Sequence, residues 1–229
     1  MGGLTLRAVL LDAMRTLVAL EPPAPRLRAA LAARGAVVAL ADAERAMAAE
    51  IRLYVAEHGA AGTRPALEAL RDRCAAVVEE ELRTGLPAAA VRAALLEAVR
   101  FAPYPEVPEA LGELRALGLR LVVCSNWDVS LHEVLATTGL AERLDGAVAS
   151  AELGEAKPAP AAFAAALGLA GVAAGEALHA GDDFEADVAG ARVAGVEPVF
   201  GRRGAPAPAG VTAVDDLAGL VALARRRLA

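Results

Sequence analysis

A chain of 229 residues carrying a net charge of −6 has room for one large domain or a domain with an insertion. No Lys/Arg cluster is interleaved with aromatics, which argues against nucleic acid as a partner, and no apolar run reaches the length of a membrane span. Residues of the hydrophobic class make up 56% and aromatics only 3%, so the core must come from many close contacts between small side chains.

The first predicted strand is LRAVLLD (6–12), an apolar run that delivers one carboxylate, Asp12, to its tip. From about Glu21 to Phe101 the pattern is helical without a strand, through RLRAALAARG, ADAERAMAAEIRLYVAEHG and RPALEALRDRCAAVVEEELRTG. Eighty such residues are too many for one crossover, and proline-rich LEPPAP and RFAPYPEVP read as the linkers that bound them. After that block, strands and helices alternate. A helix over VPEALGELRALG stops at Gly118 and strand LRLVVCSN (119–126) follows. Helix LHEVLATTG, strand LDGAVAS (144–150), helix AAFAAALGLAG and strand GEALHAGDD (175–183) come next. Helix ADVAGARVAG stops at Gly195 before strand VEPVFG (196–201), each glycine acting as a helix stop. The alternation predicts an α/β fold, a Rossmann-like parallel sheet flanked by helices with right-handed crossovers. The expected division is a core of residues 1–17 and 105–229 and an inserted α-helical cap of residues 18–104. The terminal ARRRLA reads as a helix end whose cations complement the dipole.

Cys74 and Cys124 have no paired spacing, so neither a disulfide framework nor a zinc site is expected. MGGLTLRAVLLD lacks the basic-then-apolar order of a signal peptide. The expected setting is the cytoplasm.

Ligands of an open parallel sheet sit at the C-terminal ends of its strands. There the sequence puts Asp12, Ser125 with Asn126, and Asp182 with Asp183, while Lys157 enters from GEAKPAP. In chemical terms this is a site for phosphate and Mg²⁺: carboxylates hold the hard cation, and lysine and hydroxyl orient phosphate oxygens. Taken singly, each residue has a plainer role. Asp12 or Ser125 reads as a helix cap, Lys157 as a solvated surface lysine, and Asp182, Asp183, Glu185 and Asp187 as charges at a helix N-terminus.

The ordered segments LLDAMRTL, VVCSN, EAKP and HAGDDFEAD resemble the four signatures of the haloacid dehalogenase-like hydrolase superfamily, and a helical block after the first signature matches its helical-cap subgroup. The resemblance implies that Asp12 is the nucleophile and a metal ligand, forming an aspartyl-phosphate. Ser125 and the backbone N–H of Asn126 would bind the phosphoryl group, and Lys157 would hold Asp12 ionised. Asp182 and Asp187 would bind Mg²⁺ together with the backbone oxygen of Met14. Where the family's phosphatases carry an acid–base aspartate, this chain has Met14, which has no proton to give. Such a loss typically costs roughly 10²–10⁴ in rate. Arg15 replaces the usual glycine, and its cation either binds a substrate anion or points to solvent. Glu21 and His58 are candidate substitutes for the missing acid, and Arg26, Arg52, Tyr54, His58 and Arg64 are candidate pocket residues. The expected activity is that of a slow Mg²⁺-dependent phosphatase for a small phosphorylated metabolite, working as a monomer or homodimer. Two other expectations stay open: a 2-haloacid dehalogenase, and a non-catalytic module that binds a phospho-ligand or a protein.

Overall fold

A computed structural model describes residues 5–204, 206–207 and 209–229; the first four residues of the expected core lie outside it. In chain order the elements begin with β1 (Ala8–Leu11), β2 (Val18–Leu20), α1 (Pro23–Ala32), α2 (Leu40–Glu57), α3 (Arg64–Leu82), α4 (Ala88–Ala98) and β3 (Phe101–Pro103). Next come α5 (Val107–Ala116), β4 (Arg120–Ser125), α6 (Leu131–Thr137), β5 (Gly146–Ala149), α7 (Ser150–Leu153) and α8 (Pro160–Ala170). The chain finishes with β6 (Ala177–Gly181), α9 (Gly190–Val193), β7 (Glu197–Gly201), β8 (Thr212–Val214) and α10 (Leu217–Leu228).

Six strands form one sheet in the order β5-β4-β1-β6-β7-β8, every neighbouring pair parallel. Strand β1 lies between β4 and β6, and its four apolar residues are fully buried, as a strand covered on both faces requires. Its side chains alternate: Val9 and Leu11 enter one apolar layer with α5, α6 and α10, while Ala8 and Leu10 enter the opposite layer with Phe163 of α8. This is the predicted α/β architecture. The chain leaves β1 towards β4 and β5 and later returns to β6 on its other side, so the strand order reverses at β1 and opens a crevice there. Gly118 and Gly195 end their helices with φ of 81° and 74°, a backbone that glycine adopts without strain.

Between β2 and β3 the chain folds differently. Helices α1 to α4 pack around their own apolar cluster, which includes Leu27, Leu31, Met47, Leu70, Val78 and Leu95. The fourth of these helices was not singled out from sequence. The two expected linkers are partly strand: β2 and β3 pair antiparallel, Val18 against Pro103 and Leu20 against Phe101, giving a two-stranded stem beneath the bundle. Three-residue strands carry too little alternation to be read locally, and proline at the end of a two-stranded ribbon removes no needed donor. The edge strand β8 was missed for the same shortness. Among the described residues, no helix is long and apolar enough to cross a membrane.

Candidate active site

Three adjacent strands end at the crevice, and each delivers a polar group. Asp12 follows β1, its backbone N–H donating to the Ala180 carbonyl at 2.8 Å. Ser125 is the last residue of β4, and its hydroxyl donates to Asp12 Oδ1 at 3.0 Å. Because α6 begins only at Leu131, Ser125 is not its cap. Asp182 follows β6. Lys157 enters from the loop after α7 and is 4% exposed. Its Nζ donates to Asp12 Oδ1 at 2.8 Å and to Asp187 Oδ1 at 2.5 Å. Asn126 fixes the lysine's backbone from both sides: Asn126 Nδ2 donates to the Lys157 carbonyl at 2.9 Å, and Lys157 N–H donates to Asn126 Oδ1 at 2.8 Å.

Asp187 sits in a π-helical turn over Phe184–Ala189, a widened turn often found at functional sites. The turn tucks its carboxylate back under β6, where Oδ2 accepts from the Asp183 N–H at 3.0 Å. Gly181 makes room, since a Cβ there would stand 2.2 Å from Asp187 Cγ. Asp183 caps the turn by accepting from Ala186 N–H at 2.8 Å. Beneath them His179, fully buried, meets Asp187 Oδ1 through Nε2 at 2.9 Å. Sequence reasoning missed His179, because a lone histidine within an apolar strand carries no signal of what lies below the strand's tip.

Arg15 lies in the loop after Asp12 at φ 58°, the left-handed backbone that glycine takes most easily. Its guanidinium is ion-paired with Asp182. Arg203 straps this loop from the other side, donating from Nε to the Arg15 carbonyl at 2.9 Å and from Nη2 to the Thr16 carbonyl at 2.6 Å. Arg203 also stacks 3.4 Å over the Tyr104 ring. Of the candidate pocket residues, Tyr54 donates to Asp128 Oδ2 at 2.8 Å and stacks on His58. Arg26 pairs with Glu21, and Arg64 with Glu133.

The charges do not balance. Asp12, Asp182 and Asp187 bring three negative charges within 4.8 Å of one another, against two cations, Lys157 and Arg15. Burial alone would raise Asp187, but Lys157 and His179 outweigh it and hold its carboxyl well below the usual carboxylate range. Burial would likewise lower Lys157, but the two carboxylates outweigh it and keep the ammonium charged. The uncompensated charge falls on the other two acids. Burial pushes Asp12 up against the pull of Lys157, and it pushes Asp182 up against Arg15. Three hard oxygen donors with charge to spare fit a divalent cation such as Mg²⁺.

Beside this polar cluster lies a cavity of about 430 Å³ between the bundle and the sheet, with Met14 in its wall.

Residues 6–195 match the family model described as haloacid dehalogenase-like hydrolase. A phosphoserine phosphatase of Thermus thermophilus is 42% identical over 106 residues, covering 46% of this chain and 43% of that protein. A ribulose-1,5-bisphosphate 5-phosphatase of Halopiger xanaduensis is 33% identical over 127 residues, covering 52% and 53% respectively. The chain thus spans about half the length of these curated relatives. The crystal structure of a 2-haloacid dehalogenase from Pseudomonas syringae superposes with a TM-score of 0.66 at 25% identity, covering 98% of this chain and 100% of the other.

Proposed function

Since the chain belongs to the haloacid dehalogenase-like hydrolase family, we propose that it is a Mg²⁺-dependent phosphatase of a small phosphorylated compound, slowed by Met14. The observation that carries this reading is the excess of carboxylate over cation at Asp12, Asp182 and Asp187, beside a serine and a lysine suited to phosphoryl oxygens. The phosphatase relatives support it. The metal would be held by Asp12, Asp182, Asp187 and the Met14 carbonyl, and when bound it supplies charge stabilisation to the phosphoryl oxygens.

Asp12 attacks phosphorus through the oxygen not held by Ser125 and Lys157. The bond from phosphorus to the leaving oxygen breaks, and that oxygen departs with the electron pair. Water then attacks the aspartyl-phosphate at phosphorus, which frees phosphate and restores the carboxylate. Met14 can neither protonate the departing oxygen nor activate that water, so both protons pass through solvent. The four-helix bundle acts as a cap on the β2/β3 stem, and its opening exchanges substrate and water. Two free buried cysteines support a cytoplasmic setting.

Phosphate release from p-nitrophenyl phosphate, a leaving group that needs little protonation, tests the reading. Slow Mg²⁺-dependent release is expected from the wild type, none from Asp12→Asn, and about 10²-fold more from Met14→Asp. Silence from both wild type and Met14→Asp would sink it.

One observation favours a second reading. With Arg15 on Asp182 and Lys157 between Asp12 and Asp187, the acids are partly neutralised by the chain itself, as metal-free attack on carbon needs. In that chemistry Asp12 displaces halide and water cleaves the resulting ester. Chloride release from 2-chloropropionate without added metal is its test.

A further inference from the structure

The cavity beside the site carries information that the polar cluster does not. Its wall starts two residues from Asp12, at Met14, and continues through Leu20, Met47, Leu70, Phe101 and Trp127. It therefore draws on the first loop, the stem and the bundle, and its volume of about 430 Å³ falls in the range of small-molecule sites. Helix α2 presents Met47, Ile51 and Val55 to this space at intervals of four residues, one stripe on one helical face. The stripe runs past what the bundle needs for packing. Met47 is buried in the bundle, while Ile51 is 37% and Val55 62% exposed at the cavity.

The polar groups around the cavity are already partnered or of the wrong sign for an anion. Asp128 accepts from the Tyr54 hydroxyl at 2.8 Å and from the Ser130 N–H at 2.6 Å. Glu50, 6% exposed, adds a second carboxyl to the wall. Arg71 is paired with Glu68 at 2.9 Å, and Arg100 donates to the Glu97 carbonyl at 3.3 Å. A second phosphate or a carboxylate on the ligand would meet three acids, Asp128, Glu50 and Glu133, against two arginines, of which Arg71 is already ion-paired.

We propose that this cavity binds the organic half of the substrate, and that this half is an uncharged, ring-sized apolar group joined directly to the group held by Asp12, Ser125 and Lys157. The proposal rests on the phosphatase reading only for the identity of the anionic half. Met14 then has a positive role: where an acid would place a charge at the mouth of an apolar cavity, the thioether extends the wall. Substrate selection follows the ring, and the leaving groups that depart without a proton, such as phenols, are those that an apolar wall accepts.

Trp127 is the only tryptophan and lies in the wall, so its fluorescence reports the cavity directly. Binding of methylphosphonate, benzylphosphonate and benzyl alcohol is titrated in Mg²⁺ buffer, with no turnover required. Burying one phenyl ring is expected to make benzylphosphonate bind roughly 30- to 100-fold tighter than methylphosphonate. Val55→Glu and Ile51→Glu, at positions exposed enough to leave the fold intact, should each remove about tenfold of that preference and leave methylphosphonate unchanged; a thermal melt checks folding. Equal affinity for the two phosphonates overturns the cavity assignment and leaves the phosphatase standing. Quenching by benzyl alcohol without response to either phosphonate keeps the cavity and overturns the phosphatase. No response to any ring-bearing probe overturns the cavity assignment outright.

Discussion

Arg15 is the residue whose chemistry departs furthest from its surroundings. It holds φ 58° where glycine would be unstrained, and its guanidinium stands on the acid that a divalent cation would use. A metal binding at Asp182 must displace that guanidinium or share the carboxylate with it. The arginine side chain is 71% exposed, so the pair is screened and worth no more than a surface ion pair, about 1 kcal/mol or less. Arg15→Gly should therefore tighten Mn²⁺ or Mg²⁺ binding by roughly fivefold, the equivalent of that energy. Calorimetric titration without substrate measures it, and unchanged affinity would show that the two cations do not compete.

Glu50 makes a second case at this scale. Burial raises its carboxyl above the ordinary glutamate range, against a hydrogen bond from Cys74. A raised acid favours the native state below its unfolded pKa, about 4.3, and that contribution is lost as pH rises through the folded value. Glu50→Gln, which never ionises, should be more stable than the wild type at pH 7 to 8. The advantage should close below about pH 4. Denaturant midpoints across that range measure the gap, and a gap independent of pH would mean that ionisation of Glu50 is not its source.

At the scale of elements, the sheet explains why much of the site was legible. A parallel strand buried on both faces is a short apolar run, and whatever polar residue ends it must emerge at the sheet's C-terminal edge. Asp12, Ser125 and Asp182 could be set side by side from that rule alone, once their strands were recognised. What the rule does not reach is pairing across distance. The β2/β3 stem joins residues about eighty positions apart through three-residue strands. The ion pair of Arg15 with Asp182 and the contact of His179 with Asp187 depend on how a loop and a π turn fold back. Gly181 shows how tightly that return is made. Gly181→Ala would drive a methyl group into Asp187 and pull its carboxylate from Lys157, His179 and the Asp183 N–H. Separating a buried, hydrogen-bonded charge from its partners costs about 3 kcal/mol or more. A fall in the urea midpoint of that size with unchanged slope is expected. A midpoint within about 0.5 kcal/mol of wild type would mean that the turn gives way without loss.

At the scale of the molecule, two apolar cores meet over a narrow seam. The bundle has its own buried cluster, while the sheet's layers are closed by α5, α6, α8 and α10. Besides the β2/β3 stem, the seam is held by the Tyr54–Asp128 hydrogen bond, by the Arg64–Glu133 ion pair, at Ala61, whose carbonyl accepts from Val129 N–H at 3.1 Å, and at Gly62 beside it. A Cβ on Gly62 would stand 2.0 Å from the Ala151 carbonyl oxygen, so the bundle touches α7, directly after β5, through bare backbone. The contact is between backbones, and no side-chain rotation relieves it. Gly62→Ala must therefore move the bundle off the sheet rather than disturb either core. Its cost should fall on the coupling between the two bodies. Calorimetry of the wild type is expected to give one transition in which bundle and sheet unfold together. In Gly62→Ala the bundle, with its core intact but its seat lost, should melt several degrees earlier as a separate step. Benzylphosphonate spans both bodies if the cavity is its site, so it should draw the two transitions back together. A single sharp transition in the variant at the wild-type temperature would show that the Gly62 contact carries no part of the coupling, leaving the β2/β3 stem and the Tyr54 and Arg64 contacts to hold the bundle in place.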